Sequence, residues 1–206
     1  MGNKSSTFEE IVKNIIQQRA NNPIEGRVCP DQYVGYISDF SQNSKDFPVR
    51  EKADKRRNNV KCLIMLLESP HKEEFKKVLA PAKGSTGRLI RKHIKDVNGL
   101  SNYTDYGLIL MNAIQNQCSL GLSTMCYRDE VFVSSWNKGA KDDFINRLKS
   151  LYKPGDVILN CCTKGKSKKQ LRKLVQESIP ENMGQVLKRT HPSSWYNQVH
   201  RNSEWK

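Results

Sequence analysis

Four short apolar runs, each stopped by polar residues, constrain this chain more than any other feature. Residues 61–67 read KCLIMLL and stop at Glu68-Ser69-Pro70-His71. Residues 106–111 stop at Asn112, 156–159 at Asn160 and two cysteines, and 185–188 at Thr190-His191-Pro192-Ser193. A continuous apolar run of strand length belongs in a sheet covered on both faces, as parallel sheets are. Helical spacing fills about 85–96, 139–152 and 166–178, between the runs. Strands alternating with helices predict an α/β fold: a three-layer α/β/α arrangement around a central, mostly parallel sheet of about four strands. Ligands of such sheets bind beyond the carboxyl ends of the strands. The polar clusters at 68–71, at Asn112 and at 191–193 are therefore expected to meet in one cleft.

Ahead of the first run, residues 7–19 read as a helix. Thr7 and Glu10 form a capping box, and Phe8, Ile11, Val12, Ile15 and Ile16 make one apolar stripe. Residues 21–59 are polar, hold three prolines and end in REKADKRRNN. They read as a loop-rich connection, with Arg50 to Arg57 facing a polyanion. The organisation expected is residues 1–59 as a helix and basic connection packed on a core formed by 60–206, one domain overall.

Charge narrows the partner. Lys plus Arg number 35 against 21 Asp plus Glu, a formal net charge of +14 in 206 residues. A surplus this large points to a polyanion, most often nucleic acid. No run approaches the roughly 20 apolar residues that a spanning helix needs, and no secretory pattern opens the chain. Six cysteines, none in a CxxC pair, read as free thiols of a reducing compartment. The expectation is a cytoplasmic monomer that binds DNA and no membrane.

The segment PAKGSTGRLI, residues 81–90, resembles the PFxGxxGRLL signature of the uracil-DNA glycosylase superfamily, closest to its thermostable, iron–sulfur-bearing branch. LLESPH (66–71) is similar to that superfamily's first motif, LILMNAI around Asn112 to the strand ending in its base-reading Asn, and THPSSW (190–195) to its His-Pro-Ser motif. All four occur in family order across about residues 60–196. The resemblance implies a monofunctional DNA glycosylase. Such an enzyme flips a pyrimidine out of the stack and hydrolyses its N-glycosidic bond, leaving an abasic site.

That chemistry asks for charge stabilisation at both ends of the breaking bond. By resemblance, Glu68 positions water or stabilises the sugar cation, with Glu73 and Glu74 close enough to share the task. Asn112 reads the base edge, and His191 donates towards O2 of the leaving base. Ser69 stands where relatives carry Asp or Asn, and Leu67 where they carry Gly. His71 lines the pocket. Ala82 replaces a Phe that stacks on uracil, which favours a bulky modified pyrimidine, such as glucosylated hydroxymethylcytosine of phage DNA, slightly over uracil itself. The DNA contacts implied are Gly84, Ser85, Gly87 and Arg88, then Lys164, Lys166, Lys168 and Lys169 in the basic run, then Ser193 and Ser194. Trp195 stands at the position of the apolar wedge. Cys118 and Cys126 lie closer together than the branch's cluster ligands and lack their N-terminal partners, so no iron–sulfur cluster and no other metal is expected. The alternatives are a weak or inactive DNA binder on the same fold and a metal-dependent nuclease.

Overall fold

The computed structural model describes residues 7–16, 27–56, 59–120, 126–166 and 170–205. Six strands form one sheet: Gln32–Tyr36 (β1), Glu51–Lys52 (β2), Cys62–Leu67 (β3), Gly107–Asn112 (β4), Val157–Asn160 (β5) and Gln185–Lys188 (β6). Their order is β2-β1-β4-β3-β5-β6. The four strands expected from the apolar runs are mutually parallel. Two antiparallel strands extend the β4 edge. The segment expected to be a loop-rich connection thus supplies two strands. QYVGY is short, contains a glycine and lacks a continuous apolar run, so its membership of the sheet comes from pairing with β4.

Helices cover both faces: Phe8–Ile16 (α1), Ser85–His93 (α2), Arg128–Ser135 (α3), Lys141–Leu151 (α4), Leu171–Gln176 (α5) and Gln198–Asn202 (α6). The capping box at α1 forms as the spacing predicts. The Thr7 N–H donates to Glu10 at 2.9 Å and the Glu10 N–H donates to Thr7 Oγ1 at 3.3 Å. Strand pleating divides β3 between two cores. Cys62, Ile64 and Leu66 face Phe132, Trp136, Phe144 and Leu148. Leu63, Met65 and Leu67 face Phe47, Ile90, Ile94 and Trp195. All six β3 residues are buried, and a fully buried Leu, Ile or Met contributes about 1.5–3 kcal/mol.

The start of β3 is fixed by a buried ion pair. Asp156 lies 2.7 Å from Arg56, with both side chains 1% exposed. Its two carboxylate oxygens accept from the N–H groups of Cys62 and Lys153, each at 2.8 Å. Arg56 also donates to the Leu151 carbonyl. This corrects the expectation that Arg50 and Arg56 face DNA. Arg56 is built into the core, and Arg50 binds Asp46, Gln32 and the Pro81 carbonyl. Arg57 lies outside the described residues. An Asp156→Ala change would leave Arg56 buried and uncompensated, so it is expected to cost about 3–5 kcal/mol. Equilibrium urea unfolding checks this, and a loss below about 1 kcal/mol would contradict it.

Candidate functional site

Chain order places the site. After β3 the chain crosses to β4 on one side, then returns to β5 on the other, so the winding reverses between β3 and β5. A cavity of about 290 Å³ opens there, beyond the strand ends. Its walls come from residues 67–71, Glu73, Glu74, the segment 84–86, Ser119, Arg128, Thr163, His191 and Ser193. Two of the three expected clusters, 68–71 and 191–193, contribute, and their side chains meet.

Glu68 is 7% exposed. The Ile114 N–H holds its backbone carbonyl at 3.0 Å, tying the end of β3 to the end of β4. Its carboxyl lies 3.7 Å from His191 Nε2 and 4.0 Å from Arg128, and accepts the Thr163 N–H at 3.4 Å. His191 precedes a turn at Pro192–Ser194. The Ser193 N–H donates to Nδ1 at 3.2 Å, with Ser193 Oγ 2.8 Å away. A ring nitrogen that accepts cannot carry the proton, so the hydrogen-bond network puts the proton on Nε2. Burial pushes the His191 pKa below the usual histidine value, and Arg128 adds to this while Glu68 opposes it. A neutral imidazole therefore presents Nε2–H to the cavity.

The segment 84–86 brings the start of α2 to the same wall. Gly84 is the N-cap and supplies no side-chain cap, so the first-turn N–H groups and the positive end of the helix dipole lie at the cavity. Gly87 is required by packing. A Cβ there would sit 1.8 Å from the Ala82 carbonyl oxygen. Ser69 and His71 line the cavity, and burial lowers the His71 pKa. Arg88, Lys164, Lys166 and Ser193 are exposed, and Ser194 is partly so. Ser194 Oγ donates to the His191 carbonyl at 2.7 Å. The Lys166 N–H donates to Asp129. Gly165, at φ +74°, leaves no room for a Cβ beside that carboxylate. Lys168 and Lys169 lie outside the described residues.

Three expected residues are placed differently. Trp195 is 0% exposed and packs in the core, donating from Nε1 to the Thr190 carbonyl at 3.0 Å. A side chain so enclosed cannot enter DNA. The next residue, Tyr196, is 72% exposed, and Val199 is 69% exposed. Ala82 is also fully buried, in the core cluster that contains Phe47, and does not line the cavity. Its φ of +50° is a left-handed conformation rare for a residue with a Cβ. The missing Phe therefore does not enlarge this cavity. Asn112 ends β4 at 1% exposure and is not among the lining residues; its amide sits beside Glu74, which is.

Arg128 and Thr163 were not anticipated. Thr163 follows the end of β5 and could have been found by the strand-end rule. Arg128 opens a helix and does not follow a strand end, and it also borders a neighbouring cavity of about 600 Å³ with Tyr127, Asp129 and Lys166. Arg147 escaped notice too. It holds the end of β4 through the Asn112 and Ala113 carbonyls while pairing with Asp31 and Asp143.

Burial pushes the Glu74 pKa up to about 8 from its usual 4.5. The folded state therefore keeps a proton that the unfolded chain releases. Stability is expected to fall as pH rises from about 4.5 to about 8. A Glu74→Gln protein should lose this part of the slope; urea midpoints at pH 5 and 8 for both proteins read the difference, and equal slopes would contradict it.

The cysteines are all free, and five are buried. Burial raises the thiol pKa values of Cys29, Cys62, Cys118, Cys161 and Cys162. Among the described residues no group of three or more His, Cys, Asp or Glu is arranged to hold a metal ion, and no helix is long and apolar enough to cross a membrane. Compared with protein families, with curated proteins and with solved structures, the chain shows no significant match.

Proposed function

We propose that this protein is a monofunctional DNA glycosylase acting on a flipped pyrimidine, either uracil or a base with a bulky substituent. The observation that carries this reading is the Glu68–His191 pair, with the imidazole Nε2 and the carboxyl 3.7 Å apart on the wall of a cavity at the reversal of the sheet. The two groups suit the two ends of a breaking N-glycosidic bond. The electron pair of that bond leaves with the base, and negative charge gathers on its O2. His191 Nε2–H donates there. Positive charge gathers on the sugar, where the Glu68 carboxyl faces it and accepts from the attacking water. Water supplies the hydroxyl at C1′ and the proton that the departing base finally takes. The uncapped start of α2 and the exposed Arg88, Lys164 and Lys166 suit the flanking phosphates. A bulky substituent would have to use the neighbouring cavity beyond Arg128, since Ala82 does not open the first one.

The test is incubation with duplexes carrying uracil, hydroxymethylcytosine or glucosylated hydroxymethylcytosine, in EDTA. Strand breaks should appear only after alkali. Direct breaks that vanish with EDTA would identify a metal-dependent nuclease instead. Salt-dependent binding without abasic sites would identify a passive binder.

A further inference from the structure

The Glu68 carboxyl is buried but loosely held. It accepts the Thr163 N–H at 3.4 Å, and the nearest His191 and Arg128 nitrogens stand 3.7 and 4.0 Å away. A good N–H···O bond spans about 2.7–3.2 Å, and none of these three contacts reaches it. In many enzymes such long contacts tighten once the substrate is bound.

Two of the three partners belong to one ring of contacts. Arg128 donates from Nε and Nη2 to Asp129 Oδ1 at 2.9 and 2.8 Å. The other oxygen of Asp129 accepts the Lys166 N–H. Thr163, three residues earlier in the chain, leads back to Glu68. The Thr163 and Lys164 carbonyls accept from the N–H groups of Arg172 and Leu171 at 3.1 and 2.9 Å. The backbone of 163–166 is thus fastened on both sides, while the Lys164 and Lys166 side chains are exposed. Gly165 permits the close approach, since a Cβ there would stand 2.7 Å from Asp129 Oδ2. Asp129 itself stands outside the first cavity, on the wall of the neighbouring one.

We propose that Asp129 is a positioning residue. Holding Arg128 with one oxygen and the 164–166 segment with the other, it transmits phosphate contact at Lys164 and Lys166 to the Glu68 carboxyl, whose contacts tighten when DNA is bound. This coupling rests on the base excision proposed above and adds a control to it: the DNA backbone sets the carboxyl in place, whatever base lies in the cavity.

The reason is geometric. A lysine drawn to a phosphate pulls on its own backbone. At Lys166 that backbone is bonded to Asp129, and at Thr163 to Glu68. The two oxygens of a carboxylate lie on one rigid plane, so a shift at Oδ2 moves Oδ1 and the guanidinium bound there. Nη1 of that guanidinium is the atom facing Glu68. Both partners of Asp129 are donors, and a carboxylate accepts from both. A side-chain amide has one oxygen and one NH₂, so an Asn would keep one partner and lose the other.

Two readouts on the full chain test this, and the first needs no catalysis. With ¹⁵N-labelled threonine, the Thr163 amide is assigned by its loss in Thr163→Ser and followed during titration with an unmodified duplex. In wild type its proton should move downfield as the bond to Glu68 shortens. In Asp129→Asn the duplex should still bind while the Thr163 signal stays in place. The second readout is single-turnover base release at saturating duplex, expected to fall about tenfold to a hundredfold in Asp129→Asn with affinity retained. Gly165→Ala displaces the same carboxylate and leaves every charge in place, so it should reproduce both results even if Asp129→Asn fails to fold. Because both changes break one link, the double variant should lose no more than the worse single one. An unmoved Thr163 amide in wild type, a moving one in either variant, affinity lost along with rate, or additive losses would each overturn the coupling. An Asp129-dependent Thr163 response without base release refutes the hydrolysis alone; base release at the wild-type rate in Asp129→Asn refutes the coupling alone.

Discussion

A His191→Ala protein is expected to release its base about 10²–10³-fold more slowly than wild type, the usual loss when one donor to a developing oxyanion is removed. The loss should appear in the single-turnover rate, because the donor acts where negative charge develops and not on the intact nucleotide. The pH profile adds a second reading. Burial keeps the imidazole neutral below its usual value of 6.5, so the rate is expected to stay level through pH 6.5 and to change only further into acid. Protonation would place a hydrogen on Nδ1, facing the Ser193 N–H that now donates to it. Glu68→Gln should lower the same rate, since it removes negative charge from the side where the sugar becomes cationic. A loss under threefold in His191→Ala would remove this residue from the chemistry.

Trp195→Ala is expected to destabilise the protein by about 3–5 kcal/mol, the range for deleting a large buried aromatic. The indole is fully buried and its Nε1–H is bonded to the Thr190 carbonyl. It therefore also fixes the entry into the turn that presents His191. Tyr196→Ala should leave stability within about 0.5 kcal/mol, and it should weaken binding to DNA that has lost a stacked base by about 1–3 kcal/mol. Urea unfolding and DNA affinity, measured on both variants, separate the two positions. If Trp195→Ala cost affinity and not stability, the indole would be the residue in contact with DNA and its placement in the core would be wrong.

These two neighbours show what the sequence can and cannot reveal. The parallel strands were legible because a strand buried on both faces needs an uninterrupted apolar run, and KCLIMLL is one. Glu68 and His191 were legible because strand ends place polar residues at one edge of the sheet. Trp195 was not, because motif spacing does not say which of two adjacent aromatics turns inward; the 192–194 turn decides that. Ala82 escaped for a similar reason. Its left-handed backbone and the close approach of Gly87 turn its methyl into the core, away from the cavity. Arg56 looked like part of a basic surface because its partner, Asp156, is far away in sequence.

Release of a free base is the most direct consequence of hydrolysis at the Glu68–His191 pair. Mass spectrometry of the small-molecule products, from duplexes carrying each candidate base and incubated in EDTA, measures it directly. One free pyrimidine is expected to appear in step with abasic sites, and to be lost in His191→Ala. No free base from any of the duplexes, with or without strand cleavage, would contradict it.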